Sequence, residues 1–120
     1  MISSYKELSM KDIIEYQDFA KIELRVGQVV AAQAPEWSDK LIEMSVDFGQ
    51  ELGQRTILAG AKEHYQPDEF VNKKYLFVVN LAERKMGQSV SQGMMLMVDQ
   101  DDQPIKFELP DSVELGAVVR

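Results

Sequence analysis

The fold is decided by Ile22-Glu23-Leu24-Arg25-Val26-Gly27-Gln28-Val29-Val30-Ala31. Its first five residues alternate apolar and polar, and alternate side chains of an extended chain fall on opposite faces. The pattern passes through Gly27 into a second apolar stretch, so one long strand is expected. A glycine inside such a pattern marks a bulge, or the bend where a barrel turns a corner.

Downstream, Ala34–Lys40 reads as a loop opened by Pro35. Leu41 to Phe48 makes a second strand with Ile42, Met44, Val46 and Phe48 on one face, and Gly49 to Gly53 a turn. Arg55 to Ala59 makes a third strand centred on Ile57. Pro67-Asp68-Glu69-Phe70 suits the first turn of a short helix, where proline is tolerated and acids are favoured. Tyr75–Val79 and Met94–Val98 are nearly continuous apolar runs and read as buried strands, with Ile105–Leu109 a last short candidate. Upstream, Leu8, Met10, Ile13 and Ile14 recur at helical spacing, with Ser9 as cap and Asp12 as its capping-box partner. The order of strand, strand, strand, short helix, strand, strand defines an all-β chain, a five-stranded OB-fold barrel with a helix between strands 3 and 4. Ligands of that fold sit over strands 2 and 3 and between the first–second and fourth–fifth strand loops. Here those loops are Ala34–Lys40 and Ala82–Gln92.

Composition narrows the function. A chain of 120 residues, 45% hydrophobic and 28% charged, is the size of one domain with one modest core. No cysteine is present, which excludes disulfides and thiolate sites, and the single histidine, His64, leaves no multi-histidine metal site. No cofactor is expected. The apolar-rich run Gln88–Val98 falls short of the ~20 residues of a membrane helix. Met1-Ile2-Ser3-Ser4-Tyr5 has no basic start of a signal peptide, so a cytoplasmic location without membrane contact is expected. The net charge is −7, an unfavourable sign for a phosphate binder. The charge is uneven, however: between residues 71 and 92, Lys73, Lys74, Arg84 and Lys85 stand against Glu83 alone. In the barrel reading, Lys40, Arg84 and Lys85 collect at the mouth.

Several spaced motifs then resemble one family. Asp18-Phe19-Ala20-Lys21-Ile22-Glu23-Leu24-Arg25-Val26-Gly27 is followed by Asp39-Lys40-Leu41 and Val46-Asp47-Phe48-Gly49, then by Arg55-Thr56-Ile57, Asn80-Leu81, Arg84-Lys85 and Ser91-Gln92-Gly93-Met94. Together they resemble the tRNA-binding OB domain at the C-terminus of bacterial methionyl-tRNA synthetases, also found in EMAP II-like proteins and in stand-alone tRNA-binding proteins. The likeness spans residues 18–98, with residues 1–17 and 99–120 as extensions. Glu83 stands where the family often has proline, Met86-Gly87 sits one residue early, and Gly60-Ala61-Lys62 replaces a common Gly-Ile-Ala.

The resemblance implies recognition of tRNA by shape, as a homodimer. RNA helices offer backbone and 2′-hydroxyls more readily than their deep major groove. Lys40, Arg84 and Lys85 would contact phosphates. Ser91, Gln92 and the backbone at Gly93 would bond sugar or phosphate. Met94 would pack on a ribose or base face, and Trp37 would be a stacking platform. Each has a second reading. Ser91 and Gly93 shape the turn into the fifth strand, Met94 with Met95 and Met97 joins the core, Trp37 covers the barrel end, and Asn80 satisfies backbone rather than ligand. Arg25 pairs with an acid, and His64 is a surface residue.

The apolar content of the two extensions, Tyr5–Tyr16 and Pro104–Val119, fits burial against a second copy. No paired acid and base and no activated nucleophile is visible, so no enzyme activity is expected. An aminoacyl-tRNA synthetase to which the chain lends tRNA affinity is a further expected partner. The alternative is a CsaA-like export-associated chaperone for unfolded polypeptides. Those relatives generally lack Ser-Gln-Gly-Met, which favours tRNA.

Overall fold

The long strand forms two residues later than the sequence suggests, as β1 (Leu24–Gln33). In this computed structural model, which describes residues 9–120, β1 serves two neighbours within the barrel. Its first half pairs antiparallel with β4 (Lys74–Val78), Leu24 opposite Val78 and Gln28 opposite Lys74. Its second half pairs with β2 (Ile42–Asp47), Gln28 opposite Asp47 and Gln33 opposite Glu43. A strand shared in this way must bend. The register slips between Val29 and Ala31, so the bulge lies at Val30 and not at Gly27. Gly27 serves a different need: a Cβ there would lie 2.6 Å from Val46 Cγ1 and 2.7 Å from Phe48 Cε1. The bare backbone lets β1 close onto the core.

The alternation read from β2 holds. Ile42, Met44, Val46 and Phe48 are all buried, together with Ile57 of β3 (Gln54–Ala59) and with Tyr75 and Phe77 of β4. Phe48 meets Phe77 edge-on, ring centroids 5.2 Å apart. The expected helix between strands 3 and 4 is a single 3-10 turn, Pro67–Glu69, whose Gln66 N–H donates to the Glu69 carboxylate at 2.7 Å.

The sheet runs β3-β2-β1-β4 and ends on a two-residue strand adjoining β4 at Met94–Met95. The result is a nearly closed five-stranded barrel. The gap between that last strand and β3 is bridged in part by side chains. Gln92 exchanges backbone and side-chain hydrogen bonds with Thr56, its N–H donating to Thr56 O at 2.8 Å and its Oε1 accepting from Thr56 N–H at 2.9 Å. Arg55 donates to the carbonyls of Val79 at 2.7 Å and Gln92 at 3.3 Å.

Three expectations shift. The loop Ala82–Gln92 contains a hairpin of β5 (Arg84–Met86) and β6 (Ser89–Ser91), which makes Met94–Met95 β7. The run Met94–Val98 does not stay one strand, because Val98 begins a separate hairpin of β8 (Val98–Gln100) and β9 (Gln103–Ile105). Its turn residues Asp101 and Asp102 both have positive φ, the backbone of a tight two-residue hairpin turn. Of Ile105–Leu109, Ile105 ends β9 and Leu109 makes an isolated β-bridge to the barrel at Lys74. Lys106 and Glu108 reach it through side chains and through the Lys106 N–H, which donates to the Tyr65 hydroxyl at 3.2 Å.

The helix expected near Met10 appears later, as α1 (Tyr16–Phe19). Glu15 N–H donates to the Asp18 carboxylate at 3.2 Å, the geometry expected of Ser9 and Asp12. Met10 and Ile13 are 83% and 86% exposed, and an amphipathic helix with no surface to pack against is marginal. The part of that expectation on Lys6 to Leu8 lies outside the described residues. At the other end, residues 99–120 are strapped to the barrel. Gly116 N–H donates to Val26 O at 2.8 Å, Val26 N–H to Ala117 O at 3.0 Å, and β10 (Val118–Val119) pairs with Leu24 and Arg25. Lys74 donates to the carbonyls of Asp111 and Val113 at 2.7 and 2.6 Å. Arg25 pairs with acids as read, with Glu23 at 2.6 Å and Glu51 at 3.2 Å. No helix among the described residues is long and apolar enough to cross a membrane.

Candidate nucleic-acid interface

Two loops meet at one end of the barrel. In the first, Ser38 organises the backbone, its hydroxyl accepting the N–H groups of Lys40 and Leu41, both at 3.1 Å. Lys62, from the segment after β3, closes over it. Its ammonium donates to Ser38 O at 2.6 Å and its N–H to Lys40 O at 3.1 Å. Lys40 is thereby fixed in backbone and exposed in side chain.

In the second, the β5–β6 hairpin turns at Gly87-Gln88. Gly87 has φ +62 at the first central position, where a type II′ turn calls for glycine. A Cβ at Gly87 would overlap the Trp37 ring, so the indole of the first loop lies against the bare turn of the second. Ser89 adds a tie, its hydroxyl donating to Glu43 at 2.5 Å, while Gln33 donates to the other oxygen of Glu43 at 2.8 Å. Trp37, Lys40 and the hairpin carrying Arg84 and Lys85 are thus brought to one place. Strand alternation still separates the two cations of β5. Arg84 and Met86 line a groove on the barrel side, whereas Lys85 shares the outer face with its exposed partner Val90.

The other cations of the barrel body are occupied. Arg25, Lys73 and Lys106 sit in ion pairs, Lys73 and Lys106 sharing Glu108 at 3.2 and 2.8 Å. Lys21 pairs with Asp18 at 3.7 Å. Arg55, Lys62 and Lys74 donate to carbonyls. Among the described residues, Lys40, Arg84 and Lys85 have no carboxylate partner, as is also true of Lys11 and Arg120 near the chain ends. Of the acids beside the mouth, Glu43 is held by Gln33 and Ser89, Glu83 accepts from Gln92 Nε2 at 3.3 Å, and Glu36 and Asp39 of the Lys40 loop are exposed.

The Ser91-Gln92-Gly93-Met94 motif has a different geometry from the cations. Ser91 is 4% exposed. Its hydroxyl accepts the Leu58 N–H and donates to Gly93 O, both at 3.0 Å. Gln92 supplies the Thr56 bonds already described. Gly93 has φ +148, and a Cβ there would stand 2.8 Å from Val78 O. These three residues help close the barrel, Ser91 and Gly93 doing so just before β7, where the sequence offered a turn-shaping role as their second reading. Met94 points outward and is 45% exposed, while Met95 is core. Asn80 donates from Nδ2 to Lys21 O at 2.6 Å and accepts Glu23 N–H at 2.8 Å, binding the incoming chain to the end of β4.

Residues that sequence reading missed also lie here. Leu81, Met86 and Met97 join Met94 in lining the groove under Arg84, and Lys62 braces the Lys40 loop. Sequence offered only a faint signal, Met86-Gly87 being out of step with the family and Lys62 lying in the altered Gly60-Ala61-Lys62. No group of three or more acidic or histidine side chains among the described residues could hold a metal ion.

A family model described as "Putative tRNA binding domain" matches residues 24–118. The match runs beyond the barrel through most of the C-terminal strap. The chain belongs to this tRNA-binding domain family. It is 40% identical over 116 residues to the methionine–tRNA ligase of Pyrococcus horikoshii, a match covering 96% of this chain and 16% of that protein. The chain therefore spans about one sixth of the length of that curated relative. Among solved structures, the MetRS-related protein of P. horikoshii superposes with a TM-score of 0.86 at 33% identity, covering 92% of this chain and all of that one. The CsaA chaperone protein of Picrophilus torridus superposes at 0.79 and 28%, covering 90% of this chain and all of that one.

Proposed function

We propose that the chain is a non-catalytic tRNA-binding module that grips the RNA backbone with Lys40, Arg84 and Lys85, and that it serves a methionyl-tRNA ligase either joined to it or in trans. One observation carries the reading. In an acidic protein whose body cations are paired or hydrogen-bonded, these three project unpaired from loops locked together through Trp37 and Gly87. Unpaired cations release counterions when they meet phosphate. Ser91, Gln92, Gly93 and Asn80 support the site by holding its scaffold. Met94 and Trp37 offer apolar surface beside it.

The test is Arg84→Ala with Lys85→Ala, measured as tRNA binding across a salt series. Affinity for different tRNAs should fall about equally, and the slope of log affinity against log salt should shrink by about one to two. Unchanged affinity and slope would remove the hairpin from the interface.

A homodimer is part of the proposal. Met10, Ile13, Ile14 and Tyr16 at one end and Val118 at the other are exposed, and α1 lies beside β10 along a shared groove. A particle of only 13.7 kDa by sedimentation at micromolar concentration would refute it. The second reading, a chaperone for unfolded polypeptides, is supported by the likeness to CsaA. Salt-independent polypeptide binding with no tRNA shift at low salt would establish it instead.

A further inference from the structure

We propose that the methionine-lined groove under Arg84 receives one unpaired nucleobase of the bound RNA, without regard to which base it is. This rests on the tRNA reading and adds to it a second kind of contact. The groove, about 480 Å³ in volume, runs between the end of β3 at Leu58–Gly60 and the β5–β6 hairpin with β7. That lies within the range of roughly 300–1,000 Å³ occupied by small-molecule sites. Leu81 and Met94 on its walls are 49% and 45% exposed, an unusual display of carbon and sulfur beside a site made of cations.

Two features select the occupant. Arg84 stands on the lip with no carboxylate partner among the described residues, so the occupant should place an anion next to an apolar face. A nucleotide does so, with its phosphate one sugar away from a flat base. Thioethers are polarizable and make favourable contacts with aromatic rings. Indifference to base identity follows from the lining. Apart from Arg84, its one polar side chain is Ser91, whose hydroxyl is already committed to Leu58 and Gly93. With no free side-chain donor or acceptor on the floor, no side chain there distinguishes one base edge from another, and the apolar walls hold the π-face. Paired bases are stacked within their helix, so a loop or end nucleotide must supply the base.

The experiment uses two variants of the whole chain that act in opposite ways. Met94→Ala removes a wall. Gly60→Leu fills the groove, since a Cβ at Gly60 meets nothing within 4 Å and its φ is not positive. Each is checked for an unchanged melting profile, then titrated with tRNA and with a short single-stranded RNA carrying 2-aminopurine. Both variants should weaken tRNA three- to tenfold with the salt slope unchanged, and both should reduce the 2-aminopurine fluorescence change. A fully paired RNA duplex should bind wild type and variants alike. Unaltered tRNA affinity and fluorescence in the folded variants would overturn the groove while leaving the cationic contacts standing. Loss of unfolded-polypeptide binding in variants that still bind tRNA normally would overturn it in favour of a peptide. Absence of tRNA binding by the wild-type chain at low salt would remove the reading beneath it.

Discussion

Replacing Ser91 by alanine separates a scaffold residue from a contact residue. The hydroxyl is the acceptor for the Leu58 N–H, on a residue only 6% exposed, and it donates to Gly93 O. Alanine leaves a buried N–H without a partner, which costs about 1–3 kcal/mol. At about 2.1 cal/mol/K per residue, 120 residues unfold with roughly 0.25 kcal/mol/K, so each kcal/mol lowers the midpoint by about 4 °C. The variant should therefore melt about 4–12 °C below the parent in a calorimetric or circular-dichroism scan. At a temperature well below either midpoint, its affinity for tRNA should stay within about twofold and its salt slope should not move, because the deleted oxygen is enclosed. A variant that melts like the parent but binds tRNA tenfold more weakly would show that the hydroxyl touches RNA. The clasp assignment would then be wrong.

Tyr75→Phe tests a buried hydroxyl that has no hydrogen-bond partner among the described residues. Burial, then the charge of Glu108, pushes its pKa up to about 12, above the unfolded value near 10, so its stability contribution is complete below pH 10 and is lost as pH rises towards 12. Denaturant titrations should show the wild type losing on the order of 2–3 kcal/mol more than the variant across that window, with the variant at least as stable at neutral pH. Gly27→Ala should destabilise by about 1–3 kcal/mol through overlap with Val46 and Phe48, and an unchanged midpoint would show that β1 does not close onto the core as described. Glu83→Gln keeps an acceptor for Gln92 and removes an anion next to Arg84. It should raise tRNA affinity about two- to fivefold at low salt, consistent with a screened charge term below about 1 kcal/mol, and a loss of affinity would contradict the placement. Plotted against log salt, log affinity should flatten at the low end, since near 0.01 M the screening length of about 30 Å lets the net −7 charge act across the molecule. A straight line through that region would mean that the body charge is not felt.

The strand order is legible because the barrel strands read either as alternating or as nearly continuous apolar segments separated by turn residues. Ile42, Met44, Val46 and Phe48 alternate inward in the sequence as they do in the fold, and the 3-10 turn carries its proline and acids. What failed did so for identifiable reasons. Gly27 signalled a special backbone position, but a glycine made necessary by a close neighbour and one made necessary by a bulge read alike. The split of Met94–Val98 depends on two aspartates in left-handed conformation several residues later, which apolar periodicity does not register. The hairpin in Ala82–Gln92 was read as a loop because its strands are short and polar, and its stability comes from Trp37 on Gly87 and Ser89 on Glu43, which are contacts at long range. A loop reading brings Arg84 and Lys85 to the mouth together, whereas strand pairing turns them to opposite faces. Lys40, Arg84 and Lys85 are exposed, but the methionines of the groove are not legible in the sequence, since the side of the strand that each takes is set by pairing partners elsewhere in the chain.

The acidic net charge and the nucleic-acid reading are compatible because charge acts over different distances at the two scales. Near physiological ionic strength the screening length is about 8 Å, while the chain measures at least 30 Å along its shortest axis. Carboxylates on the far side are then largely invisible to a phosphate at the mouth. What the phosphate meets is the local arrangement, in which the ammonium and guanidinium groups of Lys40, Arg84 and Lys85 have no carboxylate partner among the described residues. Beside them stand the exposed Glu36 and Asp39 of the Lys40 loop and the hydrogen-bonded but still charged Glu43 and Glu83. The acids of the body have a separate use. Glu23 and Glu51 fix the buried Arg25 under the C-terminal strap, and Glu108 holds Lys106 over the rings of Tyr65, Phe70 and Tyr75. A protein arranged in this way engages its body cations in ion pairs or hydrogen bonds where the fold needs them and leaves unpaired ones at the mouth. In the proposed tRNA-binding role, selectivity would rest on how few those open cations are, since a surface basic throughout would bind any polyanion.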